Sequence, residues 1–282
     1  MAFEIKDIDE TRAPLLDHLI ELRTRLVRAV FALLVAFGIC YYFVDQLTGF
    51  LVLPLKQAFP EGNGQLIFTK LPEIFFVEIK VALFGGFMLS FPIIANQLWA
   101  FVAPGLYADE KRAFLPFLIA TPVLFLLGAA LAYFVVMPFA FVWFLGFGGE
   151  RGGLNVEALP AVGDYLGLVM QFILAFGITF LLPVLLLLLN RAGIVTREQL
   201  VGARRYAIVG IMVVSAVVTP PDPGTMILLA VPLLLLFEGS LILMRVQERA
   251  MGRRSAEREK AATAEGPSAS EDEREDKTQA TG

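Results

Sequence analysis

The sequence predicts an all-α, polytopic membrane protein with six transmembrane helices, and three observations lead to this fold class. Hydrophobic residues make up 57% of the 282 residues and charged residues only 18%, so the apolar share is above that of ordinary soluble domains. Four apolar runs reach the roughly 20 residues that a crossing helix needs, and two shorter runs follow them. Prolines inside these runs predict bent helices.

Charges and turn-forming residues set the limits of the six spans. The predicted spans are 26–44, 73–91 with an apolar continuation to Phe101, 113–144, 165–189, 206–218 and 225–244. The fifth has 13 residues and is about 20 Å long as a helix, against about 30 Å of hydrocarbon. The bilayer must therefore thin beside it, or the span must be sheltered by other protein.

Lysines and arginines concentrate on one side of the predicted membrane domain. Near the span ends, the side of both termini carries fifteen of them and the opposite loops carry three, which predicts cytoplasmic termini. No basic start followed by an apolar stretch marks a cleavable signal peptide, so the first span is expected to direct insertion. We predict a cytoplasmic amphipathic segment at 1–25, a transmembrane domain at 26–254 and a tail at 255–282. The tail has no aromatic residue and no aliphatic residue larger than alanine, which predicts disorder.

The composition speaks against catalysis and against metal or cofactor binding. The chain has one histidine and one cysteine, whereas common metal sites need clusters of His, Cys, Asp or Glu. No HExxH, P-loop or GxGxxG motif is present, and the glycine-rich run at 146–153 is best interpreted as a turn. We therefore expect no enzyme activity, no cofactor and no metal.

The stretch HLIELRTRL places an acid, Glu21, just before the first span. On a helix, the leucines of this region form one stripe, and Glu21 and Arg25 lie on the opposite face. A structural interpretation pairs Glu21 with Arg25 four residues later. The pattern alone favours this pair over a binding role.

Two further polar motifs and one acid inside a predicted span stand out. YADEKR places Glu110 at the start of the third predicted span, where acids favour the positive end of a helix dipole. VVTPPDPG, between the last two spans, is typical of a rigid turn. Glu238 lies in the last span, where an ionisable residue marks a functional or paired position. Gln97 and Gln171 are candidates for hydrogen bonds between helices.

The motifs HLIELRTRL, QLWAFVAPGLYADEKR, ALAYFVVMPFAF and VVTPPDPG together resemble the TatC family, the multispanning receptor subunit of the twin-arginine protein translocase. The resemblance covers 15–244, with the motifs in the family's order and spacing. It implies a curved, glove-like bundle of six helices in the bacterial cytoplasmic (inner) membrane. It also implies binding of twin-arginine signal peptides and assembly with TatA/TatB-type single-span subunits, in order to export folded proteins using the proton-motive force.

The resemblance also assigns roles to residues. Those that match the family's signal-peptide site are Glu21, Arg23, Phe101 and Glu110. Those that match the outer loop beside the partner-subunit dock at span five are Thr219, Pro220, Pro221 and Asp222. Guanidinium groups bind carboxylates through two parallel hydrogen bonds and stay charged, so two acids on one surface suit two adjacent arginines. Leu181 departs from the pattern, because several relatives carry a glutamate there, and no role of that acid is transferred.

Two alternatives remain from other functional classes. A solute or ion transporter would use the proline-bent helices around a gated cavity, and it would need convergent polar groups near the middle of the membrane. A non-catalytic membrane scaffold is the other. The sequence offers few such polar groups and no visible pair of inverted halves.

Overall fold

The computed structural model describes residues 8–59, 64–106, 111–156, 158–191, 193–219 and 222–265. Its architecture is helical, which confirms the all-α polytopic class. Five segments are long and apolar enough to cross a membrane, namely His18–Tyr42, Glu73–Phe101, Phe117–Leu145, Val162–Asn190 and Pro223–Val246. The predicted fifth span is present as a shorter helix of 15 residues, Arg204–Val218.

The first span belongs to helix α1 (Ile8–Tyr42), and a second helix, α2 (Val44–Ala58), follows it after Phe43. Helix α3 (Glu73–Leu106) runs antiparallel to α1. The two backbones touch at Gly86, where a Cβ atom would lie 2.8 Å from the amide nitrogen of Phe37. A side chain at this position would push α1 away from α3, so glycine permits the close pairing.

The third span is interrupted by a wider turn. It consists of α4 (Lys111–Leu131), a π-helical turn (Ala132–Val136) and α5 (Met137–Leu145). A short antiparallel hairpin of β1 (Gly149–Arg151) and β2 (Leu154–Val156) follows. Its two-residue loop, Gly152 and Gly153, has φ angles of +61° and +82°, which suit the turn of a tight hairpin. The predicted glycine-rich turn is therefore a hairpin.

The fourth span breaks where a proline prevents continuous hydrogen bonding. Helix α6 (Val162–Thr179) ends two residues before α7 (Leu182–Arg191), and Pro183 lies in the first turn of α7. Leu181 occupies the break and packs beside a cluster that contains Phe91 and Phe125. An apolar contact thus takes the position at which the resemblance implies an acid.

The last helices form an antiparallel pair. Helix α8 (Arg197–Gly202) begins with a capping box between Thr196 and Gln199, and α9 (Arg204–Val218) follows it. Helix α10 (Pro223–Glu265) continues through Pro232 and past the predicted limit of the membrane domain. Residues 255–265 of the predicted disordered tail belong to this helix. Residues 266–282 lie outside the described part of the chain, and for them disorder stays a prediction.

The core lies between the third and fourth spans, and α1 lies at its margin. Phe125, Phe172 and Phe176 are fully buried there. In the most apolar window of the fourth span half of the residues are buried, whereas the corresponding share in α1 is 11%. The helices alternate between two ends, which we name the Glu21 end (with Glu21 and Phe101) and the Tyr42 end (with Tyr42 and Glu73).

Candidate functional site

Glu21 and Arg25 form an ion pair on α1, as the structural interpretation predicts. The Nε and Nη2 atoms of Arg25 donate to the same Glu21 oxygen, Oε1, over 3.0 and 2.5 Å. The Glu21 side chain is 34% exposed and that of Arg25 is 22% exposed. The carboxylate is thus held by a guanidinium group and is still accessible from solvent.

The same stretch of α1 contacts the end of α3. The His18 ring stacks on the Phe101 ring, with centroids 4.3 Å apart and planes inclined by 18°. His18 Nδ1 lies 4.0 Å from Glu21 Oε2. This contact brings two of the predicted site residues, Glu21 and Phe101, to one place although they are far apart in the sequence.

The leucines of α1 face away from the protein. Leu19, Leu22 and Leu26 are all exposed, whereas Glu21 and Arg25 are half-buried. In a membrane helix the apolar stripe meets lipid, so the polar face is the one that turns towards α3. The candidate site therefore lies on the face of α1 that carries Glu21 and Arg25 and not on the leucine stripe.

The length of α1 indicates where Glu21 would lie relative to a hydrocarbon layer. Glu21 precedes Tyr42 by 21 residues of continuous helix, which is about 31 Å of length. That length matches the hydrocarbon thickness of about 30 Å. If Tyr42 marks one interface, the Glu21 carboxylate reaches the other and meets water.

The remaining residues of the predicted signal-peptide site are distributed as follows. Arg23 is exposed on α1, and Glu110 lies outside the described residues. Two residues before Phe101, Trp99 Nε1 donates to Thr121 Oγ1 on α4 over 2.6 Å. This bond holds the end of α3 against α4 and so helps to position Phe101. The structure therefore brings Glu21 and Phe101 together and leaves the placement of Glu110 untested.

At the predicted outer loop, Asp222 caps the start of α10. Its Oδ1 atom accepts from the Thr225 amide over 2.7 Å, and its Oδ2 atom accepts from the Thr225 hydroxyl. Thr219 donates from its hydroxyl to the Ser215 carbonyl over 2.7 Å, at the end of α9. Pro220 and Pro221 lie outside the described residues. Thr219 and Asp222 are both buried, and their hydrogen bonds stabilise the turn between α9 and α10.

Polar side chains join the shorter helix α9 to its neighbours. Arg204 Nη2 donates to Glu238 Oε2 over 2.8 Å, so of the two alternatives for Glu238, a functional or a paired position, the structure shows a pair. Gln171 Nε2 donates to the Val218 carbonyl over 3.3 Å, as the hypothesis of hydrogen bonds between helices expects. The buried Gln97 Oε1 atom has no hydrogen-bond partner among the described residues.

The sequence interpretation missed two tyrosines that fasten α2. Pro54 lies inside α2 and has no N–H group for the Phe50 carbonyl one turn earlier. The Tyr133 hydroxyl, on the π-helical turn, donates to that carbonyl over 2.6 Å, and the Tyr165 hydroxyl donates to the Leu51 carbonyl over 2.8 Å. In the sequence, the feature that could have indicated this role is a tyrosine within an apolar span, because its hydroxyl needs a hydrogen-bond partner there.

Glu73 makes a second connection at the Tyr42 end. Its Oε2 atom accepts from the amides of Thr69 and Lys70, over 2.8 and 3.2 Å. Its Oε1 atom accepts from the Gly163 amide at the start of α6 over 3.0 Å. One carboxylate thus joins the loop before α3 to the fourth span.

An apolar cavity of about 520 Å³ lies between α1, α2, α3 and the π-helical turn. Its lining includes Cys40, Phe50, Met88 and Tyr133 and contains no charged residue. The solute-transporter alternative expects convergent polar groups around such a space, and this cavity does not provide them.

The fold and this site define a multi-pass helical membrane protein with an acidic and aromatic surface at one end. Comparisons with known proteins specify the class. A family model described as Sec-independent protein translocase protein (TatC) matches residues 17–232. The Sec-independent protein translocase protein TatC of Magnetococcus marinus is 47% identical over 250 residues, which cover 89% of this chain and 90% of that protein. The TatC of Aquifex aeolicus is 40% identical over 236 residues, covering 84% and 96%.

A solved structure extends the likeness to three dimensions. The crystal structure of the twin-arginine translocase receptor TatC in DDM superposes with a TM-score of 0.70 at 41% sequence identity. The match covers 80% of this chain and 98% of that one. The chain belongs to the TatC family, and it is a membrane-embedded protein translocase component of the twin-arginine pathway.

Proposed function

We propose that this chain is the receptor subunit that binds twin-arginine signal peptides through Glu21 and Glu110, with Arg23 and Phe101 in the same site. The observation that carries the proposal is the His18–Phe101 stack, which unites the α1 and α3 motifs at the Glu21 end. A related chain of known structure is described as a twin-arginine translocase receptor, which supports a receptor role.

The chemistry of the site fits arginine rather than lysine. A carboxylate accepts two hydrogen bonds from a guanidinium group, and Glu21 already receives two donors from Arg25. Lysine would keep the charge but would not offer the planar fork. Phe101 offers an aromatic surface beside the acid, against which the residues that follow the arginines would pack.

The proposal extends to assembly and topology. TatA/TatB-type single-span subunits would dock along α9, beside the outer-loop residues Thr219, Pro220, Pro221 and Asp222. The translocase would export folded precursors using the proton-motive force and would itself catalyse no reaction. The chain would lie in the bacterial cytoplasmic (inner) membrane with both termini in the cytoplasm, and its domains would be 1–25, 26–254 and 255–282. The excess of basic residues at the Glu21 end supports this orientation.

Site-specific photocrosslinking tests the receptor function. A photoreactive aromatic residue at Phe101, which leaves Glu21 and Glu110 in place, is expected to crosslink to a precursor with an RR signal and not to its KK variant. Glu21→Gln and Glu110→Gln are each expected to remove crosslinking from a probe at Phe101 while insertion into the membrane is unchanged.

Glu198→Gln provides the control, because Glu198 is an exposed acid in the first turn of α8. This variant is expected to bind precursor like the unaltered chain. Normal precursor crosslinking by both site variants would contradict the proposal.

A further inference from the structure

Glu21 and Phe101, which would contact the signal peptide in the proposed site, are already in contact with the chain's own side chains. The Glu21 carboxylate holds the Arg25 guanidinium, and the Phe101 ring is covered by the His18 ring. These contacts have the same chemistry that the proposed site would offer to a signal peptide, namely a guanidinium group on an acid and a ring against an apolar surface.

The Arg25 contact closely resembles the contact of a ligand. Both Nε and Nη2 point to Oε1 of Glu21, so the guanidinium uses two of its donors on this one group. Arg25 is the more buried partner, at 22% exposure, and it lies between Glu21 and the lipid-embedded part of α1. An arriving arginine would approach Glu21 from the exposed side and would compete for the same oxygen.

We propose that Arg25 is an internal competitor of the signal peptide, occupying Glu21 until a precursor arginine displaces it. The inference rests on the proposed function, since it concerns regulation of that site. Residues four apart on one helix can separate by side-chain rotation alone, so the exchange requires no movement of α1 or α3. A cationic segment remains bound only if it competes successfully with Arg25 for Glu21.

The competition has a quantitative signature. If the pair must open before any ligand binds Glu21, the apparent dissociation constant is the intrinsic constant divided by the fraction of open receptor. An i,i+4 ion pair of ordinary strength leaves a substantial open fraction, so removing Arg25 should tighten binding about two- to threefold. The factor should be the same for RR and KK peptides, because it belongs to the receptor and not to the ligand.

Direct binding to the full-length chain in lipid nanodiscs tests the proposal, with fluorescent RR and KK signal peptides as probes. Arg25→Gln is expected to tighten binding of both peptides by the same factor. Arg25→Lys keeps the charge and loses the fork, so it should give a smaller gain of the same kind. In the Glu21→Gln background, Arg25→Gln should produce no gain.

Arg28→Gln is the matched control, because it removes the same charge one turn further along α1 from an exposed position. Equal gains in Arg25→Gln and Arg28→Gln, with none in Arg25→Lys, would show a general charge effect and overturn the competitor role. If Glu21→Gln weakens binding and the Arg25 variants bind like the unaltered chain, the competitor alone is refuted. If Glu21→Gln and Glu110→Gln both bind RR peptides normally, the receptor function itself fails.

Discussion

The polar groups that fasten α2 and α6 at the Tyr42 end and the ion pair of the candidate site at the Glu21 end are satisfied in different ways. At the Tyr42 end, hydrogen bonds join residues that are distant in sequence, including Tyr133 with Phe50 and Glu73 with Gly163. At the Glu21 end, the pairs Trp99–Thr121 and Arg204–Glu238 also join different helices. The acid of the candidate site, Glu21, is instead paired within a single helical turn. Long-range bonds fix the relative positions of helices, whereas a local pair can open without moving any of them. The candidate site therefore presents an exchangeable local ion pair on helices that long-range bonds hold in place.

The largest effect on stability is expected from Tyr133→Phe. The change leaves the Phe50 carbonyl without its donor, and a buried unsatisfied acceptor costs about 1–3 kcal/mol. Pro54→Ala restores an amide donor within α2, so the effect of Tyr133→Phe should shrink in the double variant. A double-mutant cycle of unfolding free energies in mixed micelles measures this coupling. Strict additivity of the two changes would contradict the proposed role of Tyr133.

A somewhat smaller effect is expected from Asp222→Ala at the same end. Asp222 accepts the Thr225 amide at the start of α10, and loss of such a cap costs about 0.5–2 kcal/mol. Asp222→Ser keeps a capping oxygen and should retain most of the stability. The same unfolding measurement compares the two variants, and equal losses in both would show that capping is not the role of Asp222.

The smallest effect on stability is expected from Glu21→Gln at the opposite end. An i,i+4 ion pair on a partly exposed helix contributes about 0.5 kcal/mol or less. Unfolding of this variant should be nearly indistinguishable from that of the unaltered chain, although it should no longer crosslink to precursors. A loss of unfolding free energy as large as that of Tyr133→Phe would contradict the view that the Glu21–Arg25 pair contributes less to stability than the bond of Tyr133.

Much of the fold follows from the sequence, because lipid imposes simple rules on length and composition. The predicted second to fifth spans match the observed segments to within a few residues, since charges and turn-forming residues mark their ends. The end of the first span is matched equally well, but α1 begins at Ile8, long before the predicted start at residue 26. The local pair of Glu21 and Arg25 also follows, because i,i+4 geometry requires no tertiary information.

Other features depend on contacts that are distant in sequence. Helix α2 was not predicted, since Pro54 argues against a helix unless a donor from elsewhere satisfies the freed carbonyl. The packing of Leu181 against the Phe91 and Phe125 cluster likewise depends on how α6 breaks. The stacking of His18 on Phe101 depends on the register between α1 and α3, which Gly86 permits but no local pattern specifies.

The length of α1 has a kinetic consequence. The helix continues unbroken from Tyr42 to Ile8, so about 50 Å of helix serves a hydrocarbon layer of about 30 Å. In the proposed receptor function, an incoming chain would therefore meet Glu21 in water before it enters the lipid. A candidate with the wrong charges would dissociate at this stage, and only a retained chain would remain long enough for its apolar segment to partition into the membrane. In such a sequence of events, incorrect chains would be rejected before any apolar segment inserts into the membrane.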